Sequence, residues 1–347
     1  MSGIGLPISY SLEIFQTNEG PIIDVRSPKE FLQGHWPNAI NMPLFNNEER
    51  ILIGTTYKQK GREKAIYLGL EITKPKLKSL KKQLEQISKE SNKSNLRIYC
   101  WRGGLRSSSI GWLANALGLK PILLSGGYKD YRKWALKQFE KEWPLKLIGG
   151  KTGTGKTSLL LSLSKMGIST IDLEGLAIHK GSSFGGLGLP PQPSTEHFEN
   201  LLANSLYLLS KNSPKGIWLE AESASLGKCR IPNNFYKQMQ QAELVEITRS
   251  KEERLENLIN EYSHHSKKDL QEATLRIQKR LGPQRTKKAL ESIQSQSWEE
   301  ACLAMLSYYD KCYDYELNKK NKRESIDISG LSHKASAEKL IRLGYVY

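Results

Sequence analysis

The chain has 347 residues, with 52 Lys and Arg against 36 Asp and Glu, a formal charge of +16, and 38% of it is hydrophobic. At roughly 100–200 residues per domain this suits about two domains, each with enough apolar content for a core, which excludes wholesale disorder. No run approaches the roughly 18 uncharged apolar residues of a membrane span, and the opening MSGIGLPISYSLEIF lacks the basic-then-apolar layout of a secretion signal, so a soluble cytoplasmic protein is expected.

From position 21 the text PIIDVRSPKEFLQGHWPNAINMP reads as a short β-branched strand ending in Asp24, followed by a helix after Ser27-Pro28. A Lys-rich stretch over 74–93 predicts a helix, LRIYC a second strand, the apolar spacing over 107–117 another helix, and PILLSGGY a third strand with its turn. Alternation of this kind predicts an α/β domain with a mainly parallel sheet over 1–132. The amphipathic stretch 128–143 is expected to be a helix leading out of that domain, with 133–144 as the junction before a second unit. LKLIGG opens this second α/β unit, 145–250, and runs straight into KTGTGKTSLLLSLSKMG; further strands are expected at STIDL, GIWLEAE and AELVEIT. From 251 the pattern is charged and helical, so 251–347 is expected to be a basic, mostly helical region packed on the second unit. No internal repeat or low-complexity tract is present.

Cys100 closes the LRIYC strand and is followed by WRGGLRSSSIGWLANAL. A loop containing Gly103 and Gly104 can curl so that successive backbone N–H groups converge on the sulfur at a helix start, with Arg102 and Arg106 nearby. Such donors favour the thiolate, with a pKa of about 3.5–7.5 against about 8.5 for a free thiol. An arbitrary strand cysteine is more often an inert small hydrophobe. The Gly-Gly turn and the arginines favour the reactive reading for Cys100, and nothing does so for Cys229, Cys302 or Cys312, which are expected to be structural. The four show neither zinc-type pairing nor the density of a disulfide scaffold, and no metal ligand is assigned.

IIDVRSPKEFLQGHWPNAINMP, the Cys100 loop and ILLSGGYKDYR together resemble a rhodanese domain over about 21–132, a family that carries sulfur or selenium on a loop cysteine. Cys-x5-Arg also resembles the phosphatase signature, in which the same thiolate attacks phosphate. The rhodanese resemblance implies that Asp24 and Arg26 support the loop from behind; an N-cap and a surface pair are the open alternative. His35 is expected to be structural.

GKTGTGKT fits G-x-x-x-x-G-K-[ST] between an apolar strand and a helix. Gly150, Thr152, Gly153, Thr154 and Gly155 bring backbone N–H groups to phosphate oxygens, Lys156 adds a point charge, and Thr157 can hold magnesium. Glu220 and Glu222 follow a strand where an acid could orient that ion. Arg249 either reaches a phosphate or lies on the surface. GSSFGGLG, after His179-Lys180, is either a mobile loop over a site or a plain connection. Between 267 and 288 eight basic residues face two acids, either as a phosphate-tracking surface or as a solvated helical face.

A rhodanese-like domain fused to a P-loop domain, together with YCWRGGLRS, IDLEGLAIHKGSSFG, LEAES with Ile231-Pro232, and IQKRLGPQR, resembles the tRNA 2-selenouridine synthase family over nearly the whole chain. The resemblance implies conversion of wobble 2-thiouridine to 2-selenouridine by S-geranylation with geranyl diphosphate and then selenium transfer from selenophosphate through the loop cysteine. It implies tRNA, through its anticodon arm, and a prenyl diphosphate as partners; magnesium at Thr157 is left as an option, no membrane is expected from the absence of an apolar span, and no obligate protein partner is inferred. In those terms the P-loop grips the diphosphate, Cys100 carries selenium, and Arg280, Arg285 and Lys287 are first candidates for gripping the anticodon arm. Two rivals remain open: an ATP-dependent tRNA sulfurtransferase, and a P-loop regulatory protein whose rhodanese part is inert or acts as a phosphatase.

Overall fold

In the computed structural model, which describes residues 7–212, 214–317 and 323–346, every strand of the two five-stranded sheets runs parallel to its neighbours. The chain divides into two units, Met1–Gln138 with Glu199–Asn204, and Phe139–Phe198 with Ser205–Tyr347.

The first unit holds β1 (Ser9–Tyr10), β2 (Ile22–Asp24), β3 (Ile40–Asn41), β4 (Asn95–Tyr99) and β5 (Lys120–Leu124) in the order β1-β5-β4-β2-β3. Parallel strands covered on both faces need apolar residues on both, and β2, β4 and β5 supply them. One face packs Ile23, Leu96, Ile98 and Leu123 against Leu80, Leu84 and Ile87 of the helix Leu77–Ser91. The other face is aromatic, with Phe15, Trp36, Tyr99, Tyr128 and Tyr131. Asp24 pairs in register with Tyr99, so the carboxyl ends of β2 and β4 lie side by side. That end of an open parallel sheet is where ligands bind.

Two elements depart from the expected order. A 27-residue helix, Asn47–Thr73, precedes the expected Lys-rich helix, so residues 47–91 form a helical insert between β3 and β4. Its apolar residues are scattered around the helix, which hides it from a periodicity argument, but Asn46 and Glu49 form a capping box at its start. The helix expected over 128–143 runs Gly127–Gln138, with Tyr128, Tyr131 and Ala135 buried.

The second unit holds β6 (Leu145–Gly149), β7 (Thr170–Ile171), β8 (Ile217–Glu220), the antiparallel pair β9 (Ser225–Leu226) and β10 (Cys229–Arg230), β11 (Glu243–Thr248) and β12 (Arg323–Asp327). Its main sheet has the order β12-β11-β6-β8-β7. Ile148, Val245, Ile247 and Trp218 meet Leu159, Leu160 and Leu163 of the helix Lys156–Lys165 in its core. Beyond 250 the chain is mostly helical, as the sequence predicts, with one correction: β12 extends the sheet at its edge. Only Ile326 of its five residues is buried, so RESID carries almost no apolar strand signal. Among the described residues no helix is long and apolar enough to cross a membrane.

Candidate functional site

Cys100 follows directly on β4 and is 3% exposed. Its Sγ accepts the Gly104 N–H at 3.3 Å and lies 3.2 Å from the Ser107 hydroxyl. The single Ser107 hydroxyl proton, on the first turn of the helix Leu105–Ala116, also has the Gly104 carbonyl within reach at 3.0 Å, so it serves either that oxygen or the sulfur. The loop therefore offers the sulfur one backbone N–H and one hydroxyl, rather than a converging set of N–H groups. The Ser125-Gly126-Gly127 turn after β5 packs tightly against this loop: a Cβ on Gly127 would lie 2.5 Å from the Gly103 nitrogen and 2.8 Å from that of Arg102. Gly103 itself has φ +67°, and a side chain there would collide with the Leu124 carbonyl at 2.5 Å. Tyr128 N–H to the Cys100 carbonyl, 2.8 Å, and Lys129 N–H to the Trp101 carbonyl, 3.0 Å, fasten the two segments together.

The arginines divide. Arg106 turns away from the sulfur and grips Glu30 with two hydrogen bonds, 2.7 and 3.3 Å. Burial pushes the Glu30 carboxyl up, but Arg106, the Ser27 N–H and Arg50 together hold it below the usual carboxylate range. Arg102 is exposed and has no hydrogen bond or ion pair among the described residues. Asp24 and Arg26 are not a surface pair: they are 0% and 1% exposed and joined at 2.6 Å. Arg26 also donates to the Gly34 carbonyl and lies 3.7 Å from the Tyr128 ring centroid and 6.0 Å from that of Trp101, so the pair supports the loop from beneath. His35 stacks on Phe31 with its Nδ1 at 2.8 Å from the Phe31 carbonyl oxygen, a packing position.

In the second unit β6 ends in Gly149 and the phosphate-loop motif begins at Gly150. Three successive carbonyls of the loop are held by side chains: Thr152 by Arg254 at 2.9 Å, Gly153 by Asn257 at 2.9 Å, and Thr154 by Arg249 at 3.4 Å. In a trans peptide the next N–H points the opposite way, so those of Gly153 and Gly155 turn away from these donors, and both residues line a cavity of about 1130 Å³. Thr154 is buried and closes the turn through its hydroxyl to the Lys151 carbonyl, 2.8 Å. Lys156 Nζ donates to the Gly150 carbonyl at 2.9 Å and to the Tyr313 hydroxyl at 3.2 Å, and has no ion pair among the described residues. Burial works against its charge, but Tyr313, Glu222 and Glu174 outweigh it and keep the ammonium form favoured.

Opposite the lysine stands a group of acids. Thr157 donates to Glu174 at 2.9 Å. Glu220 is fully buried, and neither of its oxygens has a hydrogen-bond partner among the described residues. Burial first and the charge of Glu174 second push Glu222 up to about 7 and Glu220 well above the ordinary range. The 181–188 stretch lies beside these acids: a Cβ on Gly181 would be 2.7 Å from a Glu222 oxygen. Phe184 anchors that stretch in a core with Leu270, Ala273 and Ile277.

Arg249 is not the surface residue of the second alternative. It is a brace, 7% exposed, tied to Thr154, to the Leu331 carbonyl and to Glu253. In the basic stretch 267–288, Lys267 and Arg276 bond to the Gln294 and Ser183 carbonyls and Lys287 faces Glu291, while Arg285 is exposed. Several site residues lie outside the candidates drawn from the sequence. Glu30 stands in the Ser27 capping box and Glu174 in IDLEGLA, where motifs could have flagged them. Tyr313, Asp310 and Asp314 could not be flagged so. They lie on the helix Trp298–Leu317 and reach Lys156, Arg254 and Lys151 across more than fifty positions of chain.

Comparison with known proteins agrees with both halves. Residues 11–133 match the rhodanese-like domain family, and residues 143–337 match the family described as the tRNA 2-selenouridine synthase AAA domain. The chain is similar to a tRNA 2-selenouridine synthase of Sulfurovum sp. (strain NBC37-1), 34% identical over 352 residues that cover 92% of this chain and 94% of the relative. It is similar to those of Shewanella sediminis (strain HAW-EB3), 37% identical with 87% and 89% covered, and of Hydrogenovibrio crunogenus (strain DSM 25203 / XCL-2), 33% identical with 94% and 96% covered. With a cradled cysteine in one unit, a braced phosphate loop in the other and matches along nearly its full length, the chain belongs to the tRNA 2-selenouridine synthase family.

Proposed function

We propose that the protein modifies tRNA, converting a wobble 2-thiouridine to 2-selenouridine in two steps served by its two loops. The observation that carries this reading is their coexistence: a cysteine cradled at a strand end and a phosphate loop with a buried lysine, in a chain aligned almost end to end with relatives named for that product. In the first step the thiocarbonyl sulfur attacks the allylic carbon of geranyl diphosphate. A C–S bond forms, the C–O bond breaks, and diphosphate leaves with the electron pair. Lys156 and the Gly153 and Gly155 N–H groups would stabilise the charge that grows on it. This step requires no nucleotide hydrolysis. In the second step the Cys100 thiolate attacks C2 and the geranyl thiol departs with the C2–S pair; the selenium of selenophosphate then displaces the Cys100 sulfur from C2, and water cleaves the P–Se bond, releasing phosphate with no change of oxidation state. The Gly104 N–H and the Ser107 hydroxyl would take up charge at the Cys100 sulfur.

The acids fit a hard cation beside the leaving group. Glu220 has two buried oxygens without a donor, and Thr157, donating to Glu174, keeps lone pairs for a metal. Among the described residues no three or more His, Cys, Asp or Glu side chains are grouped to hold an ion by themselves. Magnesium is such a hard cation, one that keeps several waters and takes one or two protein oxygens together with substrate phosphates. Bound there, it would neutralise charge on the diphosphate.

Mass spectrometry of tRNA nucleosides, after incubation with geranyl diphosphate and selenophosphate separately and together, tests the reading. Expected are a geranylated nucleoside with the first alone and a selenated one with both. ATP-dependent labelling without a prenyl donor would instead favour a sulfurtransferase.

A further inference from the structure

Most of the cationic surface of the first unit lies in the helical insert, 47–91, which is not part of either loop. Between 57 and 82 there are nine basic residues and two acidic ones. Lys58, Lys60, Arg62, Lys64, Lys74 and Lys78 are exposed, and none has an ion pair or hydrogen bond among the described residues. A helix kept only for solubility normally interleaves acids that pair at i,i+4 with its lysines. Here like charges stand together and Tyr57 and Tyr67 stand among them, 58% and 69% exposed. Leu70 is 62% exposed on the same insert. Apolar rings left in water beside unpaired cations are the two components of a surface that tracks phosphates and stacks on unpaired bases.

The insert is firmly seated on its inner side. Leu80, Leu84 and Ile87 are buried in the core, with Ile53 and Ile72 packed against it. The outer side is therefore presented by a fixed support. At Gly61 the helix is broken (φ 84°, ψ 177°), so Tyr57, Lys58 and Lys60 lie on one segment, and Arg62, Lys64 and Tyr67 on the next. The insert also adjoins the cysteine loop. Arg50, in its first turn, lies 3.6 Å from Glu30, the carboxylate that grips Arg106 at 2.7 Å.

We infer that this insert is an RNA-binding arm, its unpaired cations holding the phosphates and its two exposed tyrosines stacking on unpaired bases of a tRNA whose reacting base lies at Cys100. The inference rests on the reading that the protein modifies tRNA. It adds a specific contact surface, on the first unit instead of the basic helices beyond 250.

The test is equilibrium binding of the full chain to a labelled tRNA transcript with uridine at the wobble position, measured across a series of salt concentrations. Combining Lys58→Glu, Lys60→Glu and Arg62→Glu should weaken binding at least about tenfold and flatten the dependence of log K on log salt by about two units, at roughly 0.7–0.9 per phosphate contact. Tyr57→Ala with Tyr67→Ala should cost at least about tenfold with little change in that slope, since each stacked base contributes about 1–3 kcal/mol. Reversing Lys165, Lys211 and Lys237 of the second unit controls for net charge, and thermal unfolding and binding of inorganic diphosphate should be unaltered throughout. If the wild-type chain binds the transcript and the arm variants match it in affinity and slope, the arm is a solvated face and the inference is overturned while the tRNA reading stands. If the wild-type chain shows no affinity for the transcript, the tRNA reading itself fails.

Discussion

The two loops share a plan and differ in how they handle charge. Each joins the carboxyl end of a central parallel strand to the first turn of a helix. In the cysteine loop Arg106 is neutralised by Glu30 and Arg102 is turned out to solvent, and the sulfur is met by a peptide N–H and a hydroxyl. In the phosphate loop the cation is left without a counter-ion: Lys156 has only a carbonyl and a phenol to hold it. The difference follows from what each must hold. A sulfur that belongs to the protein needs moderate, permanent stabilisation, since nucleophilicity falls along with basicity. A diphosphate that arrives and leaves as a multiply charged group needs a full charge kept available for it.

Replacement of the sulfur gives the largest expected effect. Cys100→Ser should reduce selenium incorporation to background, on the order of a thousandfold or more, while geranylation continues; nucleoside mass spectrometry reads both. Next comes Lys156→Ala, which should cost geranylation roughly 10²- to 10³-fold yet leave selenation of tRNA geranylated beforehand nearly intact. Equal loss of both activities in a folded Lys156→Ala protein would show that the loops do not divide the work.

Smaller effects sharpen the contrast between neutral donors and full charge. Ser107→Ala removes one neutral partner worth about 0.5–1.5 kcal/mol, so selenation should slow about three- to tenfold in single-turnover assays, with diphosphate affinity unaltered. A Ser107→Ala rate equal to that of Cys100→Ser would mean that the hydroxyl moves a proton in the reaction. The smallest effect concerns pH. With Glu222 pushed up to about 7, raising the pH from 6 to 8 converts it from neutral to charged beside Lys156. Magnesium-free diphosphate binding should therefore weaken several-fold over that range, and Glu222→Gln should flatten the profile; an unchanged slope in the variant removes Glu222 as the cause.

The sequence exposes those parts of this arrangement that depend on neighbours along the chain. Runs such as LRIYC, PILL and LKLIGG announce strands, and GKTGTGKT announces its loop, because backbone geometry is dictated locally. The same holds for Cys100 with its Gly-Gly turn. What could not be read is the partner of each charge. Arg106 and Arg249 look like anion ligands in the text, yet both are tied to glutamates, Arg106 to one 76 positions away and Arg249 to one only four away. β12 was hidden by its polarity and the helix Asn47–Thr73 by its scattered apolar residues, so neither showed a periodic stripe.

One detail of the second unit reaches beyond the chemistry of the loop. Asp310, Tyr313 and Asp314 span little more than one turn of a single helix, and through Arg254, Lys156 and Lys151 they fasten the rim, floor and shoulder of the phosphate cradle. That helix is a keel rather than an appendage. A chain cut at 250 would keep every glycine of the motif and still lose the girder that gives the cradle its posture.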